Sequence, residues 1–266
     1  MKSSKWSRKA PTSGEEAIVA FRANRESNLV VQAKGPELEI SMRPVLWGVD
    51  AQADFMLPGG KLYVPGAEKI IPNIHRLVHQ ARQSRVLLIS SADAHQPDDP
   101  EFQQWPTHCV KGTSGADLIL EARAARQLII ANYRDFVFPA DVSAYEQILL
   151  EKNTLDVFDN PNTDKLLTQL SSSTEPNAAS KFRVLVFGVV TEYCVLRAAQ
   201  GLLRRGHPVS IVEDAIQSLD ATKGRETLDD MQARGAQLVT TEQALALIAS
   251  DGLHSAEDQV RKTAGD

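Results

Sequence analysis

In "FGVVTEYCVLRAA" (187–199) a cysteine, Cys194, falls one turn inside a helix-forming stretch, directly behind an apolar run. A free cysteine most often behaves as a small buried hydrophobe, so this stretch alone leaves packing and chemistry both open. A thiol becomes a useful nucleophile as thiolate, with an unperturbed pKa of about 8.5 that a helix start lowers. Thr191 is expected as the N-cap, which puts Cys194 at the third helical position. Free N–H groups of that turn would suit a developing oxyanion. Asp50 ends the apolar run "VLWGVD", where desolvation would raise its pKa toward that of a general base; its bland reading is a loop carboxylate capping a turn. Lys152, in "LLEKNTLDVFDNPN", would stabilise both the carboxylate and the thiolate, or it is an ordinary solvated lysine, since lysines are rarely buried. A base, a thiol and a cation of this kind perform acyl transfer.

A second cluster lies in "SADAHQPDDPEFQQWPTHCVKGTSGADL" (91–118). Asp93 and His95 are two residues apart, so in extended chain they project to the same side. Glu101 and His108 can complete a site of nitrogen and oxygen ligands. Two imidazoles and two carboxylates suit zinc, iron or manganese, and ligand type does not choose among them. Asp98 and Asp99 compete with Glu101 for the carboxylate position. Cys109 is read as structural, pointing away from the site. His75 and His79 have i, i+4 spacing but no zincin-type glutamate beside them, which reads as a solvated helix face.

Something must bring these segments together. The runs "VLWGV" (45–49), "RVLLIS" (85–90), "QLIIA" (127–131), "FRVLVFG" (182–188), "PVSIVED" (208–214) and "AQLVT" (236–240) read as buried strands of a parallel sheet. Helical stripes run through 66–83, 191–206 and 241–250. Alternation of this kind predicts a doubly wound α/β fold, with a mainly parallel six-stranded sheet and helices on both faces. Ligands on such sheets bind beyond the carboxyl ends of the strands, where Asp50, Asp93, Lys152 and Cys194 all fall. The domain is expected over 44–250. Residues 1–43 form an N-terminal extension in which "NLVVQAKGPELEIS" alternates as a hairpin arm would, and 251–266 form a tail.

Composition narrows the class. The 266 residues are 42% hydrophobic and 24% charged, with a net charge of −5, as in ordinary soluble proteins. That balance offers no footprint for nucleic acid or an anionic membrane. No apolar run reaches transmembrane or signal-peptide form. Two cysteines suit a reducing, cytoplasmic setting.

The motifs "VDAQADF", "DAH…E…WPTHCVKGTSGADL", "EKNTLDVFDNPN" and "GVVTEYCVLRAA", in this order, resemble the isochorismatase-like cysteine hydrolases, and among them the nicotinamidases. The resemblance runs from about Val45 to Leu247. It implies a catalytic set of Asp50, Lys152 and Cys194. It also implies a divalent metal, zinc before iron or manganese, on Asp93, His95 and His108, with Glu101 where many members carry histidine. A non-proline cis peptide is implied between Val189 and Val190, aiming the N–H groups of Val190 and Cys194 as an oxyanion hole. Phe55 and Trp105 match the aromatics that sandwich a pyridine ring, and Phe158 is a looser third wall. The implied activity is hydrolysis of nicotinamide to nicotinate and ammonia, in a homo-oligomer acting on a small-molecule amide. The alternatives are a cysteine amidase for a carbamoyl, ureido or maleamate-type substrate, and a non-catalytic binding module. The segment 121–150 is longer than in compact relatives.

Overall fold

A computed structural model describes residues 42–83, 85–172 and 182–251. The expected arm and tail lie outside these residues, except for Met42, Arg43 and Asp251, as does most of the polar stretch after Ser172. Seven strands form one sheet: β1 (Pro44–Val49), β2 (Leu87–Asp93), β3 (Gln127–Ile130), β4 (Gln147–Lys152), β5 (Arg183–Val189), β6 (Val209–Gln217) and β7 (Gln237–Val239). Their order is β3-β4-β2-β1-β5-β6-β7, and every adjacent pair is parallel.

The sequence reading of six strands is corrected to seven. The added strand, β4, has a short apolar centre flanked by Gln147, Glu151 and Lys152, so its run is too brief to signal a strand alone. It lies between β2 and β3, and pairing on both sides supplies the backbone partners that its sequence does not advertise. Much of the long 121–150 segment is thereby used up by β3, β4 and their connection.

The helices are α1 (Ala53–Met56), α2 (Ile71–Arg82), α3 (Thr163–Ser172), α4 (Leu196–Arg204), α5 (Ala221–Ala233) and α6 (241–251). Strand alternation sorts the core into two layers. Val45, Trp47 and Val49 of β1 pack with Leu166 and Leu170 of α3, Ala198 and Leu202 of α4, and Leu228 and Met231 of α5. Leu46 faces the other way, toward Ile74, Leu77 and Val78 of α2 and Ala244 and Ile248 of α6. Ile74, Leu77, Val78 and Ala81 are fully buried, the i, i+3, i+4, i+7 stripe of an amphipathic helix. Burial of each larger member contributes about 1.5–3 kcal/mol. Neither α3 nor α5 was read from the sequence: α5 is mostly polar, and only Gly224, Leu228 and Met231 of its residues are buried.

The strand order reverses direction at β1, which lies between β2 and β5. Such a switch point leaves a crevice beyond the strand ends. Asp50 follows β1, Asp93 closes β2, Lys152 closes β4 and Cys194 follows β5. The register pairs Asp93 directly with Lys152 and Val49 with both Ser91 and Gly188.

Candidate active site

Asp50 leaves β1 with φ of 48°, a left-handed conformation that turns the chain out of the sheet and is sparsely used by non-glycine residues. Its N–H still reaches Ser91 O at 3.2 Å, and Ser91 Oγ donates to Asp50 Oδ1 at 2.7 Å. Opposite, β5 closes on β1 so tightly that a Cβ at Gly188 would stand 2.0 Å from Val49 O. Only glycine fits that approach, which its φ of 117° also favours. The next peptide but one, Val189–Val190, is cis.

Beyond it the chain enters a π-helical turn, Thr191–Val195, that runs into α4. The expected cap is corrected here. Val190 occupies the N-cap position without a side-chain hydrogen bond, and Thr191 Oγ1 is buried with no hydrogen-bond partner. Cys194 still falls within the first turn. Val190 and Cys194 both line the cavity at the sheet edge.

Lys152 is only 1% exposed, so the solvated-surface reading is excluded. Its Nζ lies 2.9 Å from Asp50 Oδ2 and 3.7 Å from Cys194 Sγ, and it hydrogen-bonds Asp93 Oδ1. Burial pushes Asp50 above the ordinary carboxylate range, against the pull of Lys152. Burial also pushes the Cys194 thiol well up; Lys152 opposes this, while the charges of Asp50 and Asp93 add to it. Burial works against the charge on Lys152, but Asp50 and then Asp93 overcome it and hold the ammonium well above its usual range. The ammonium thus stands beside a carboxyl and a thiol that burial disfavours as anions, and its charge opposes that cost at each of them.

The second cluster sits beside the first. His95 forms a parallel bridge to Val110, with His95 N–H to Cys109 O at 3.2 Å and Lys111 N–H to His95 O at 2.9 Å. That pairing brings His108 alongside, with ring centroids 4.9 Å apart. One ligand atom from each of Asp93, His95 and His108 lies within 4.8 Å of the others, and all three residues are buried. Nε2 of His95 and of His108 stand 3.8 and 3.7 Å from Asp93 Oδ2, too far for hydrogen bonds. The His95 Nε2 is buried with no hydrogen-bond partner. Ligand atoms about 2.0–2.1 Å from a shared tetrahedral ion are separated by about 3.4 Å, so a divalent cation fits between these groups with little movement.

His108 Nδ1 lies 2.7 Å from Pro106 O, a partner that fixes the tautomer leaving its Nε2 free to ligate. His95 Nδ1 faces Asp99 Oδ2 at 3.1 Å without a hydrogen bond.

The competition among carboxylates resolves by position. Asp98 is exposed. Asp99 is 9% exposed and turns its Oδ1 to the N–H of Glu101 at 3.0 Å, so it supports the ligands from behind. Glu101 lines the cavity, where burial and then Asp93 raise its pKa, but it stands outside the close set of ligand atoms. Cys109 is fully buried, with its N–H on Asp54 Oδ2 at 2.8 Å, and its thiol faces the Gly115 carbonyl at 4.0 Å. His75 and His79 are exposed on α2.

The cavity encloses about 420 Å³ with its mouth included. Phe55 and Trp105 line it together with Tyr193 and Leu219. Phe55, on α1, is 5% exposed with its ring 5.3 Å from His108. Trp105 meets Tyr193 edge-on at 5.5 Å.

Phe158 is a correction. It is not among the lining residues; it stacks on Trp47 at 6.2 Å, and Arg205 lies over its ring at 3.7 Å. A Cβ at Gly201 would stand 2.0 Å from that ring, so α4 carries a glycine to admit it. The segment after Lys152 turns Phe158 toward the α4 layer and leaves Leu155 at the cavity.

Three contributors were missed from the sequence. Tyr193, beside the cysteine, is a wall of the cavity. Glu192 Oε1 accepts the N–H groups of Leu219 and Asp220 at 3.0 and 2.8 Å, which seats Leu219 at the mouth. Asp54 accepts from Lys61 N at 3.0 Å as well as Cys109 N, and so anchors the loop that carries His108. Alternation within "VDAQADF" was the available signal for Asp54, because a buried carboxylate five residues past the strand end needs donors.

A parallel sheet with a switch-point crevice holding a thiol, carboxylate and ammonium defines an isochorismatase-like α/β hydrolase. The Isochorismatase domain model matches residues 45–243, and the chain belongs to that family. It is 25% identical over 215 residues to the nicotinamidase of Escherichia coli, covering 72% of this chain and 92% of that protein. It is also 25% identical to the nicotinamidase/pyrazinamidase of Mycobacterium tuberculosis, over 72% of this chain and 95% of that one. A secreted isochorismatase effector of Phytophthora sojae is 27% identical over 110 residues, and the match spans 52% of its length. Among solved structures, the pyrazinamidase of Pyrococcus horikoshii in complex with zinc superposes with a TM-score of 0.58 at 26% identity, covering 74% of this chain and 99% of that one. Among the described residues no helix is long and apolar enough to cross a membrane.

Proposed function

We propose that this protein hydrolyses nicotinamide to nicotinate and ammonia through a thioester on Cys194. The observation that carries the reading is the lining of the cavity over Cys194. Phe55, Trp105 and Tyr193 wall it, its charged members are Asp50, Asp93 and Glu101, and no lysine or arginine among the described residues lines it. Apolar and aromatic walls suit a flat, uncharged ring. A carboxylate-bearing amide of the carbamoyl, ureido or maleamate type would find no lysine or arginine among these lining residues and could pair only with the metal that Asp93, His95 and His108 would hold. The nicotinamidase and pyrazinamidase relatives support the same choice.

Asp50 Oδ2 takes the Cys194 proton as sulfur attacks the carboxamide carbon, and the carbonyl oxygen gathers charge beside the Val190 and Cys194 amides. Asp50 returns that proton to the amide nitrogen, the C–N bond breaks, and ammonia leaves. Water, with its proton drawn to Asp50, attacks the thioester carbon; nicotinate leaves and the thiol is restored. Throughout, Lys152 keeps Asp50 in place and offsets the charge that sulfur carries. Asp93, His95 and His108, with Glu101 at the rim, would hold a divalent metal, zinc first, which supplies a Lewis-acid anchor for the ring edge remote from the carboxamide.

The test is ammonia release from nicotinamide by purified protein, before and after chelator treatment and metal restoration. Release that falls with the chelator and returns with metal supports the reading. No release with metal restored overturns nicotinamide as substrate and turns the same assay to carbamoyl, ureido and maleamate-type amides.

A further inference from the structure

Asp93 ends β2 with a strand neighbour on one side only. On the β4 side its register partner is Lys152. On the β1 side pairing stops at Val49 with Ser91, because Asp50 adopts a left-handed φ of 48° and β1 turns away. The backbone N–H and C=O of Asp93 on that side would then be buried orphans, a costly condition.

The side chain of Gln52 fills the gap. Its Oε1 accepts the Asp93 N–H at 2.7 Å, and its Nε2 donates to Asp93 O at 2.8 Å. A carboxamide presents one acceptor and one donor side by side, as a peptide unit of an adjacent strand would. The second Nε2 hydrogen goes to Ala116 O at 2.7 Å, which ties in the loop that follows His108. Gln52 is fully buried, so these bonds form without competition from water. Its position is itself fixed by the bridge between Gln52 and Leu118.

We infer that Gln52 is a positioning residue for the metal site: it takes the place of the missing β1 neighbour and sets where the Asp93 carboxylate stands relative to His95, His108 and Lys152. It touches neither substrate nor metal. The inference rests on the metal site of the proposed function but not on the substrate.

The test uses metal-stripped full-length protein titrated with cobalt(II) against a chromophoric chelator, with the visible absorption of the bound ion recorded. Gln52→Met keeps length and bulk and removes all three hydrogen bonds. Its cobalt affinity should fall 10–100-fold, the range seen when supporting partners of ligands are lost, and the cobalt spectrum should change in position and intensity. A lowered melting temperature alone would be a structural effect; the spectrum and affinity of the folded variant decide the role. Cobalt binding within twofold of wild type, with an unchanged spectrum, would overturn the inference. If Gln52→Met does not fold, Gln52→Asn, which sets the carboxamide back by one methylene, is measured instead: weakened binding supports the role and wild-type binding overturns it. Wild-type protein that binds no cobalt would overturn the metal reading and this inference with it. Failure of nicotinamide hydrolysis alone would leave the inference standing.

Discussion

Asp93 and Lys152 are register partners at the ends of β2 and β4, and the ammonium of one hydrogen-bonds the carboxylate of the other. Because the same ammonium also lies 2.9 Å from Asp50, one buried cation is shared by a candidate metal ligand and the candidate general base. Adjacent strands thus bind the two halves of the site into a single charge network.

Removing that cation should be severe. Lys152→Met leaves Asp50 and Asp93 as neighbouring buried carboxylates, and loss of one partner of such a pair costs about 3–5 kcal/mol. Urea denaturation of Lys152→Met should show a loss of that order together with loss of amide hydrolysis. A variant as stable as wild type would mean that the ammonium contributes little.

The pH dependence follows from opposite shifts. Burial works against ionisation of Asp93, yet Lys152, with help from His108 and His95, holds it well below 3.8. Its contribution to stability is therefore full above pH 3.8 and is lost as pH falls toward its folded value. Asp50 is raised above 3.8, so it favours the fold below that pH and gives up the contribution as pH rises through its folded value. As general base it must be ionised, so the acid limb of kcat/KM should fall above pH 3.8. A pH–rate profile with full activity down to pH 4 would mean that Asp50 is not held above the ordinary carboxylate range.

The two cysteines should separate chemically. Burial pushes both thiols up, so access decides between them: Cys194 lines the cavity, whereas Cys109 is fully buried away from it. Iodoacetamide on native protein, followed by mass spectrometry, should give one adduct, on Cys194, and none in Cys194→Ala. That variant should also lose at least about 10³-fold in kcat, as removal of a covalent nucleophile does.

Two aromatic substitutions should part in their effects. Phe158→Ala, in the layer between Trp47 and α4, should cost about 3 kcal/mol, the low end for truncating a packed phenylalanine, with KM unchanged. Trp105→Ala should raise KM several-fold with little change in melting temperature. A higher KM from Phe158→Ala alone would restore that ring as a wall of the cavity.

The candidate chemistry was legible in the sequence because it follows the ends of long apolar runs. A run such as 182–188, short and rich in valine and phenylalanine, reads as a covered strand, and a parallel sheet sends every such end to the same edge. Asp50, Asp93 and Cys194 could be gathered on that ground; Lys152 follows only the brief hydrophobic segment that forms β4, and the resemblance of the motifs tied it to the set and added the metal.

What sequence could not carry was set by contacts between distant segments. The brief apolar centre of β4 becomes a strand because β2 and β3 flank it. Asp99 rather than Asp98 supports His95 because the fold buries one carboxylate and leaves the next in water. Phe158 turns to the core because α4 offers Gly201 beneath it, and Gln52 matters only because β1 turns away before Asp93. Local sequence determined which groups stand at the sheet edge; the register and packing of strands decided which of them face one another.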